Sequence, residues 1–261
     1  MQTEPPIERL KAIMRRLRDP SGGCPWDRAQ DYVSLAPFTL EEASEVVDAL
    51  ERGDLQALRD ELGDLLFQVV FLAQLGAEDG RFDFDDVAAG IADKLLRRHP
   101  HVFEDAAAAD DPTRSWDAIK EGERRVKGLH GVLADVPRSL PALARAAKLG
   151  RRAARVGFDW HDAGGARDKV LEELAELDAA VAAGERDHMA EELGDLLLAV
   201  TSWSRHLGLD PETSLRGANR KFESRFSAME AIAAERGLDP DALDAAQWDA
   251  LWNEAKSRVQ S

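Results

Sequence analysis

One helical sequence pattern occurs twice in this chain. LEEASEV (40–46) is followed by ELGDLL (61–66), and LEELAEL (171–177) is followed by ELGDLL (192–197). The same offset of 131 residues relates both pairs of segments, so the distance from the first block to the second is kept. A repeat of about half the chain length predicts two related domains. We expect an N-terminal domain over 1–126, a linker over 127–139 and a C-terminal domain over 140–261.

Apolar residues recur with a helical period through most of the chain, and strand-like alternation is absent. The first half predicts helices at about 39–50, with Thr39 as N-cap, at about 55–76, ending at Gly76, and at about 84–98, followed by a loop at 104–112. The second half predicts helices at about 141–155, 166–183, 187–207, 211–234 and 241–258. Helices joined by short loops pack as antiparallel neighbours, so the predicted fold is all-α, with two tandem helical bundles.

Composition narrows the classes of partner. The net charge of −16 argues against a nucleic-acid polymer, because phosphate backbones require a basic surface, but it is compatible with a small polyphosphate that arrives with cations. No 18-residue apolar run is present, so we expect no membrane partner. Cys24 is the only cysteine, which rules out an internal disulfide and suits a reducing compartment. We therefore expect a cytoplasmic protein.

The repeated segments place acidic residues beside an apolar helix face. At about 100° per residue, Glu176 lies at about 300° from Glu173, whereas the apolar residues of that helix lie between about 40° and 100°. On the next helix, Asp195 lies at about 300° from Glu192. If the two helices are antiparallel, two acid pairs face each other across a groove.

A solvated surface is the ordinary interpretation of neighbouring glutamates. Here the acids border the apolar face, the two pairs keep equal spacing, and four like charges brought together are costly unless they are protonated or bound to cations. Carboxylate oxygens in this number suit Mg²⁺ or Mn²⁺, and a di-iron site would require a Glu-x-x-His spacing that the segments lack. We predict a metal site formed by Glu173, Glu176, Glu192 and Asp195.

A later helix carries a basic pair. Lys221 and Arg225 lie four residues apart, which fits a phosphate clamp as well as an ordinary surface pair. Trp252 fits either a nucleobase contact or core packing, and Lys256 follows one helical turn later. The first half has basic and aromatic counterparts at Lys94, Arg98, Trp116 and Lys120.

Together with GGCPWDRAQ, GRFDFDDVAAGIADKLLRRHPHVF, DVPRSLPALARAAK and VGFDW, the acidic segments resemble the MazG nucleoside triphosphate pyrophosphohydrolases over almost the whole chain. The resemblance implies a two-domain all-α enzyme, usually a homodimer. It also implies Mg²⁺-dependent hydrolysis of NTPs, dNTPs or both to the monophosphate and pyrophosphate, with little base specificity.

Carried over by position, the resemblance implies that Glu173, Glu176, Glu192 and Asp195 bind metal. It implies catalytic roles for Glu172, Glu173 and Glu176, with Glu172 orienting a bound group or helping to activate water. The nucleotide contacts that it implies are Lys169, Glu172, His188, Lys221, Arg225, Trp252 and Lys256. His188 departs from the family pattern, because this position looks like a lysine site in relatives, although histidine can still donate a hydrogen bond to phosphate.

The two halves differ beside the acids. Glu42, Glu45, Glu61 and Asp64 repeat the four predicted ligands, but Phe38 stands at the position of Lys169 and Ala57 at that of His188. A charged hydrogen bond contributes about 1.5–3 kcal/mol, so the first groove should hold a triphosphate less well. We predict the main site in the second half, and a weaker metal site in a dimerising first half. The apolar stripes of the two halves, which include Phe67, Val70 and Phe71, carry more apolar surface than one half can bury, so we expect a homodimer.

Two alternatives remain open. A narrower enzyme of the same superfamily would act on one particular or damaged dNTP, and a substrate panel would identify it. A non-catalytic helical dimer that binds other proteins would release no pyrophosphate in the presence of Mg²⁺.

Overall fold

The structure is a computed structural model that describes residues 4–103, 122, 128 and 131–259. All regular secondary structure in these ranges is helical, which confirms the all-α prediction. The chain divides into two compact units, Met1–Glu121 and Gly122–Ser261. The predicted loop at 104–112 lies outside the described residues, as do residues 127, 129 and 130 of the predicted linker. No helix of the described part combines the length and the apolar character needed to cross a bilayer.

The helices of each unit follow one another with short connections. The first unit contains α1 (Pro6–Leu17), α2 (Pro25–Ala29), α3 (Ala36–Arg52), α4 (Leu55–Glu78), α5 (Phe84–Arg98) and α6 (Pro100–Phe103). The second unit contains α7 (Ala142–Ala154), α8 (Ala163–Ala183), α9 (Arg186–His206), α10 (Pro211–Glu235) and α11 (Ala245–Val259), with a 3₁₀ turn at Pro240–Ala242.

Each unit contains one long helical hairpin, α3–α4 in the first and α8–α9 in the second. The two turns carry glycines at matching positions, Gly53 with φ 68° and Gly184 with φ 73°, in the left-handed region that ends a helix without steric cost. In the first turn the Asp54 side chain also accepts from the backbone N–H groups of Gln56 and Ala57, at 3.1 and 3.0 Å. The repeated sequence therefore folds as a repeated hairpin, which brings the two acid pairs of each half onto facing helices.

Two predicted helix ends are wrong. α3 begins at Ala36, so Thr39 lies inside the helix, where its Oγ1 donates to the Leu35 carbonyl at 3.0 Å. α4 continues beyond Gly76, which is buried, and a Cβ added there would lie 2.6 Å from the Phe82 carbonyl oxygen and 2.7 Å from its ring. Glycine at this position permits close packing of the following loop and does not stop the helix.

The first unit has a compact apolar core between α1, α3 and α4. Met14, Leu35, Val70, Phe71 and Leu75 form its buried cluster, and Phe38 and Phe67 pack against it. Val70 and Phe71 are 2% and 0% exposed. The first unit thus buries Val70 and Phe71 itself and half-buries Phe67, so the homodimer expected from this apolar stripe stays a prediction.

The buried cluster of the second unit lies elsewhere. Met229, Ile232 and Ala233 of α10 pack against Leu251 and Ala255 of α11. The space beside the α8–α9 hairpin is a cavity, which is lined in part by Ala147, Gly150 and Ala199.

Candidate active site

Helices α8 and α9 bring three of the predicted metal ligands together. Glu173, Glu176 and Glu192 each offer a carboxylate oxygen, and these oxygens lie within 4.8 Å of one another. Glu173 and Glu192 are only 5% and 9% exposed, whereas Glu176 is exposed. Asp195 is not part of this group of three, but it lines a cavity beside it together with Lys169 and Glu173.

Lys169 neutralises one buried carboxylate. Its Nζ lies 2.7 Å from Glu172 Oε1 and 2.6 Å from Glu173 Oε1. The hydrogen bonds to Glu172 and Glu173 raise the pKa of Lys169, so this side chain stays a cation. Lys169 therefore pairs with Glu172 and Glu173 of its own helix, and its predicted contact with a phosphate stays a prediction.

His188 has the same relation to the other buried carboxylate. Its Nε2 lies 2.8 Å from Glu192 Oε1, and its Nδ1 lies 3.3 Å from Glu185 Oε2. The hydrogen bond to Glu192, followed by that to Glu185, raises the pKa of His188 and favours the imidazolium. The histidine thus places an imidazole N–H group within hydrogen-bond distance of a predicted ligand one turn later on the same helix.

Glu176 remains in an unfavourable electrostatic environment. Partial loss of water around its carboxyl group raises the pKa of Glu176, and repulsion from Glu192 and Glu173 raises it further. A divalent cation held among the three carboxylates would remove that repulsion, and hard oxygen ligands of this kind are those that Mg²⁺ prefers. The donor set therefore fits such an ion.

The first unit repeats the three clustered acids, but it has Phe38 and Ala57 at the positions of Lys169 and His188. Oxygens of Glu42, Glu45 and Glu61 also lie within 4.8 Å of one another. Burial is the main cause that raises the pKa values of Glu42 and Glu61, and repulsion from neighbouring acids adds to it. At the position of Lys169, the Phe38 ring packs against the core and meets the edge of Trp26, with 5.8 Å between the ring centroids.

The predicted nucleotide contacts of α10 and α11 form a separate group. Around Trp252, the Arg225 guanidinium carbon lies 5.6 Å, the Lys256 Nζ 5.7 Å and the Phe222 ring centroid 5.7 Å from the ring centroid. Lys221 is exposed one turn before Arg225. Among the described residues, no hydrogen bond or ion pair joins this group to the acids of α8–α9, so its contact with substrate stays a prediction. Trp116 and Lys120 lie outside the described residues.

The sequence analysis did not predict the side-chain contacts that hold the segment before α8 against α9. The Arg205 guanidinium donates to both carboxylate oxygens of Asp159, one of them through Nη1 at 2.8 Å, and His206 Nε2 lies 3.1 Å from Asp159 Oδ1. These hydrogen bonds, first of all that from Arg205, lower the pKa of Asp159 to about 2. The motif VGFDW, which contains Asp159, was the available signal, but its partner lies 46 residues further along the chain.

The chain matches known proteins over nearly its full length. Residues 30–103 and 166–228 match the MazG nucleotide pyrophosphohydrolase domain. The chain is 50% identical over 254 residues to the nucleoside triphosphate pyrophosphohydrolase of Escherichia coli K12, covering 96% of this chain and 97% of that protein. It is 40% identical over 250 residues to the nucleoside triphosphate pyrophosphohydrolase/pyrophosphatase MazG of Thermotoga maritima, covering 96% and 95%. With the acidic hairpin present in each unit, this chain belongs to the MazG nucleotide pyrophosphohydrolase family.

Proposed function

We propose that this protein is a Mg²⁺-dependent nucleoside triphosphate pyrophosphohydrolase with broad base specificity. It would convert NTPs, dNTPs or both to the monophosphate and pyrophosphate. The acidic cluster of α8–α9 carries the proposal, because it brings three carboxylates together and holds Lys169 beside Glu173 and His188 beside Glu192. The names of the Escherichia coli and Thermotoga maritima relatives support the same reaction.

Glu173, Glu176, Glu192 and Asp195 would hold the ion, with Mn²⁺ as a substitute. When bound, Mg²⁺ would neutralise phosphate charge and favour attack by water. The residues of the chain then position the substrate. Lys169 would donate a charged hydrogen bond to a phosphate oxygen.

Hydrolysis at the α-phosphorus forms one P–O bond to the water oxygen and breaks the bond to the bridging oxygen of the leaving pyrophosphate. Glu172 is exposed and hydrogen-bonded to Lys169 at 2.7 Å, so it would orient that cation toward the substrate. With Glu173 and Glu176 it forms our proposed set of catalytic residues. His188, Lys221, Arg225 and Lys256 are proposed to balance charge on the phosphates, and Trp252 to contact the nucleoside.

Broad base specificity follows if recognition depends on phosphates and on flat apolar contacts, since every base offers a π face. The test is product analysis on a complete NTP and dNTP panel with Mg²⁺. We expect monophosphate and pyrophosphate from most members of the panel. Hydrolysis of a single dNTP would show a narrow enzyme, and no pyrophosphate from any nucleotide would refute the proposed reaction.

We also propose that the protein is a cytoplasmic homodimer. The α3–α4 and α8–α9 hairpins expose leucines at matching positions, including Leu62 and Leu193, which are 49% and 48% exposed. Leu66 and Leu197 form a second exposed pair, one turn later. Repeated apolar side chains on one helical surface are typical of a subunit interface.

A further inference from the structure

The His188 ring lies between two carboxylates near the start of α9. Its Nε2 is 2.8 Å from Oε1 of Glu192, one turn later, and its Nδ1 is 3.3 Å from Oε2 of Glu185, one turn earlier. An ionised carboxylate only accepts hydrogen bonds, so a ring nitrogen that bonds to either acid is a donor. The imidazole therefore links Glu185, which is exposed, to Glu192, which is buried and belongs to the acidic cluster.

Glu185 occupies the N-cap position of α9, but its side chain caps no backbone N–H group. Asp54, the matching residue of the first unit, does cap its helix, because it accepts from the backbone N–H groups of Gln56 and Ala57 at 3.1 and 3.0 Å. Aspartate is a favoured N-cap residue, and such a cap stabilises the helix. The second hairpin lacks this stabilisation, and the side chain at the same position contacts His188 instead.

The histidine and the acid that holds it occur in the same copy of the repeat. In the first unit Ala57 stands at the position of His188, so the residue at position 54 has no ring to contact. A ring with hydrogen bonds at both nitrogens is fixed in orientation, since the two nitrogens point in set directions. In metal sites, hydrogen bonds to the ligands from surrounding residues fix the orientation of those ligands.

We propose that Glu185 is a positioning residue, which fixes the His188 ring so that the ring holds Oε1 of Glu192 and leaves the other oxygen of that carboxylate for the cation. The inference rests on the proposed function and adds to it a residue that acts through another side chain. It also explains why α9 begins with a glutamate that does not cap it: the longer side chain reaches the ring one turn later.

The test removes the contact and leaves the ring and the clustered acids in place. Glu185→Ala deletes the acceptor, whereas Glu185→Gln keeps an acceptor oxygen at the same distance from the backbone. Asp187→Ala is the matched control, because it removes an equal charge from the first turn of α9, and Asp187 has no hydrogen bond or ion pair with His188 among the described residues.

Each full-length protein is titrated with Mg²⁺ alone, and the side-chain nitrogen NMR signals of His188 are followed. Their loss in His188→Gln assigns them, and they report on the second acidic cluster and not on the first. Thermal unfolding is measured on every variant, and pyrophosphate release is measured over a range of Mg²⁺ concentrations.

We expect Glu185→Ala to require about tenfold more Mg²⁺ for the half-maximal change of the His188 signals, since losing a residue that orients a ligand costs about 10- to 100-fold in affinity. Glu185→Gln and Asp187→Ala should bind Mg²⁺ as the wild type does. Glu185→Ala should keep the wild-type unfolding temperature, because it removes an exposed side chain that caps nothing. Its hydrolysis rate should be low at limiting Mg²⁺ and should recover at saturating Mg²⁺.

Unchanged Mg²⁺ affinity in Glu185→Ala would overturn the positioning role, and so would wild-type His188 signals that do not respond to Mg²⁺. An equal loss of affinity in Asp187→Ala or in Glu185→Gln would also overturn it, because negative charge alone would then explain the effect. Failure of the proposed function has a different signature, since wild-type protein would then release no pyrophosphate from any triphosphate, while its Mg²⁺ affinity would still depend on Glu185.

Discussion

The two units place the same acidic hairpin beside different interiors. In the first, Phe71 and Met14 are fully buried and close the space between α1 and α4. In the second, Ser202 and Gly150 border a cavity at the corresponding place between α7 and α9. The difference teaches that the acids alone do not distinguish the copies. What distinguishes them is the cation beside the acids and the space next to them.

The copies also hold the segment before the acidic helix in different ways. In the first unit Arg18, at the end of α1, donates to Glu78 at 2.7 Å and to the Gln30 carbonyl at 3.3 Å. In the second unit the arginine is Arg205 on α9, and its acceptor is the Asp159 carboxylate within the segment itself. Anchoring from α9 leaves the α7 side of the segment open to the cavity.

The largest expected effect separates the two acidic trios. Glu173→Gln should lower Mg²⁺-dependent pyrophosphate release by about 100-fold or more, since metal-assisted charge stabilisation supplies several kcal/mol. Glu42→Gln, the matching change in the first unit, should cost less than about threefold. Both proteins should fold normally, because each change removes a charge from a crowded cluster. A larger loss from the Glu42 variant would show that the active copy is the first.

The second effect concerns one position of the repeat, which is occupied by Lys169 in the second unit and by Phe38 in the first. Lys169→Ala should reduce kcat/KM by about 10- to 150-fold, the value of one charged hydrogen bond, and it should also lower the free energy of unfolding, because Glu173 loses the cation beside its buried carboxylate. Phe38→Ala, at the matching position, should reduce the free energy of unfolding by about 1–3 kcal/mol, because it removes a half-buried ring from the core. Denaturant unfolding and steady-state kinetics are measured on both. If Phe38→Ala lowers kcat/KM but leaves the free energy of unfolding unchanged, this position does not have a packing role in the first unit and the proposed difference between the two copies is wrong.

A third, smaller effect is the pH dependence of the Asp159 anchor. The native pKa of about 2 is below the unfolded value of 3.8, so the carboxylate stabilises the fold above about pH 4, and the contribution is lost as the pH falls through 2. Asp159→Asn should lower the free energy of unfolding by about 1–2 kcal/mol at pH 7, and the deficit should shrink only below pH 4. Asp178→Asn, on an exposed part of α8, is the control. A deficit that already disappears between pH 7 and pH 5 would contradict the assignment.

The smallest effect on the fold should come from the exposed leucines. Leu62→Glu and Leu193→Glu are surface changes, so each should alter the free energy of unfolding by no more than about 0.5 kcal/mol. We expect Leu62→Glu to convert the dimer to monomer and Leu193→Glu to do so less completely, as measured by light scattering. If wild-type protein is monomeric at micromolar concentration, the proposal of a homodimer is refuted.

Much of the fold could be predicted because its determinants are local. Helical periodicity and the glycines at 53 and 184 define the hairpins, and the clustering of Glu173, Glu176 and Glu192 follows from the spacing of acids on two antiparallel helices. Thr39 and Gly76 were misassigned because their surroundings are set by residues distant from the helix-end signal, the Phe82 ring in the case of Gly76.

The cavity could not be predicted from any single segment, since three helices and a connecting segment form it. A signal was nevertheless present in the repeat. At the constant offset of 131 residues, Lys169 occupies the position of Phe38 and Ser202 that of Phe71. The sequence therefore shows that two large aromatic side chains of the first half are replaced in the second. Only the structure showed that these positions share one space.

A wall built from alanines has an evolutionary consequence. Ala146, Ala147 and Ala153 project from α7 and Ala199 from α9, and each can be enlarged to valine by one nucleotide change. Such changes would reduce the volume of the cavity in small steps while leaving the acids and Lys169 untouched. The second hairpin can thus change the size of its cavity by single substitutions, while the first, with its filled core, is constrained mainly by packing.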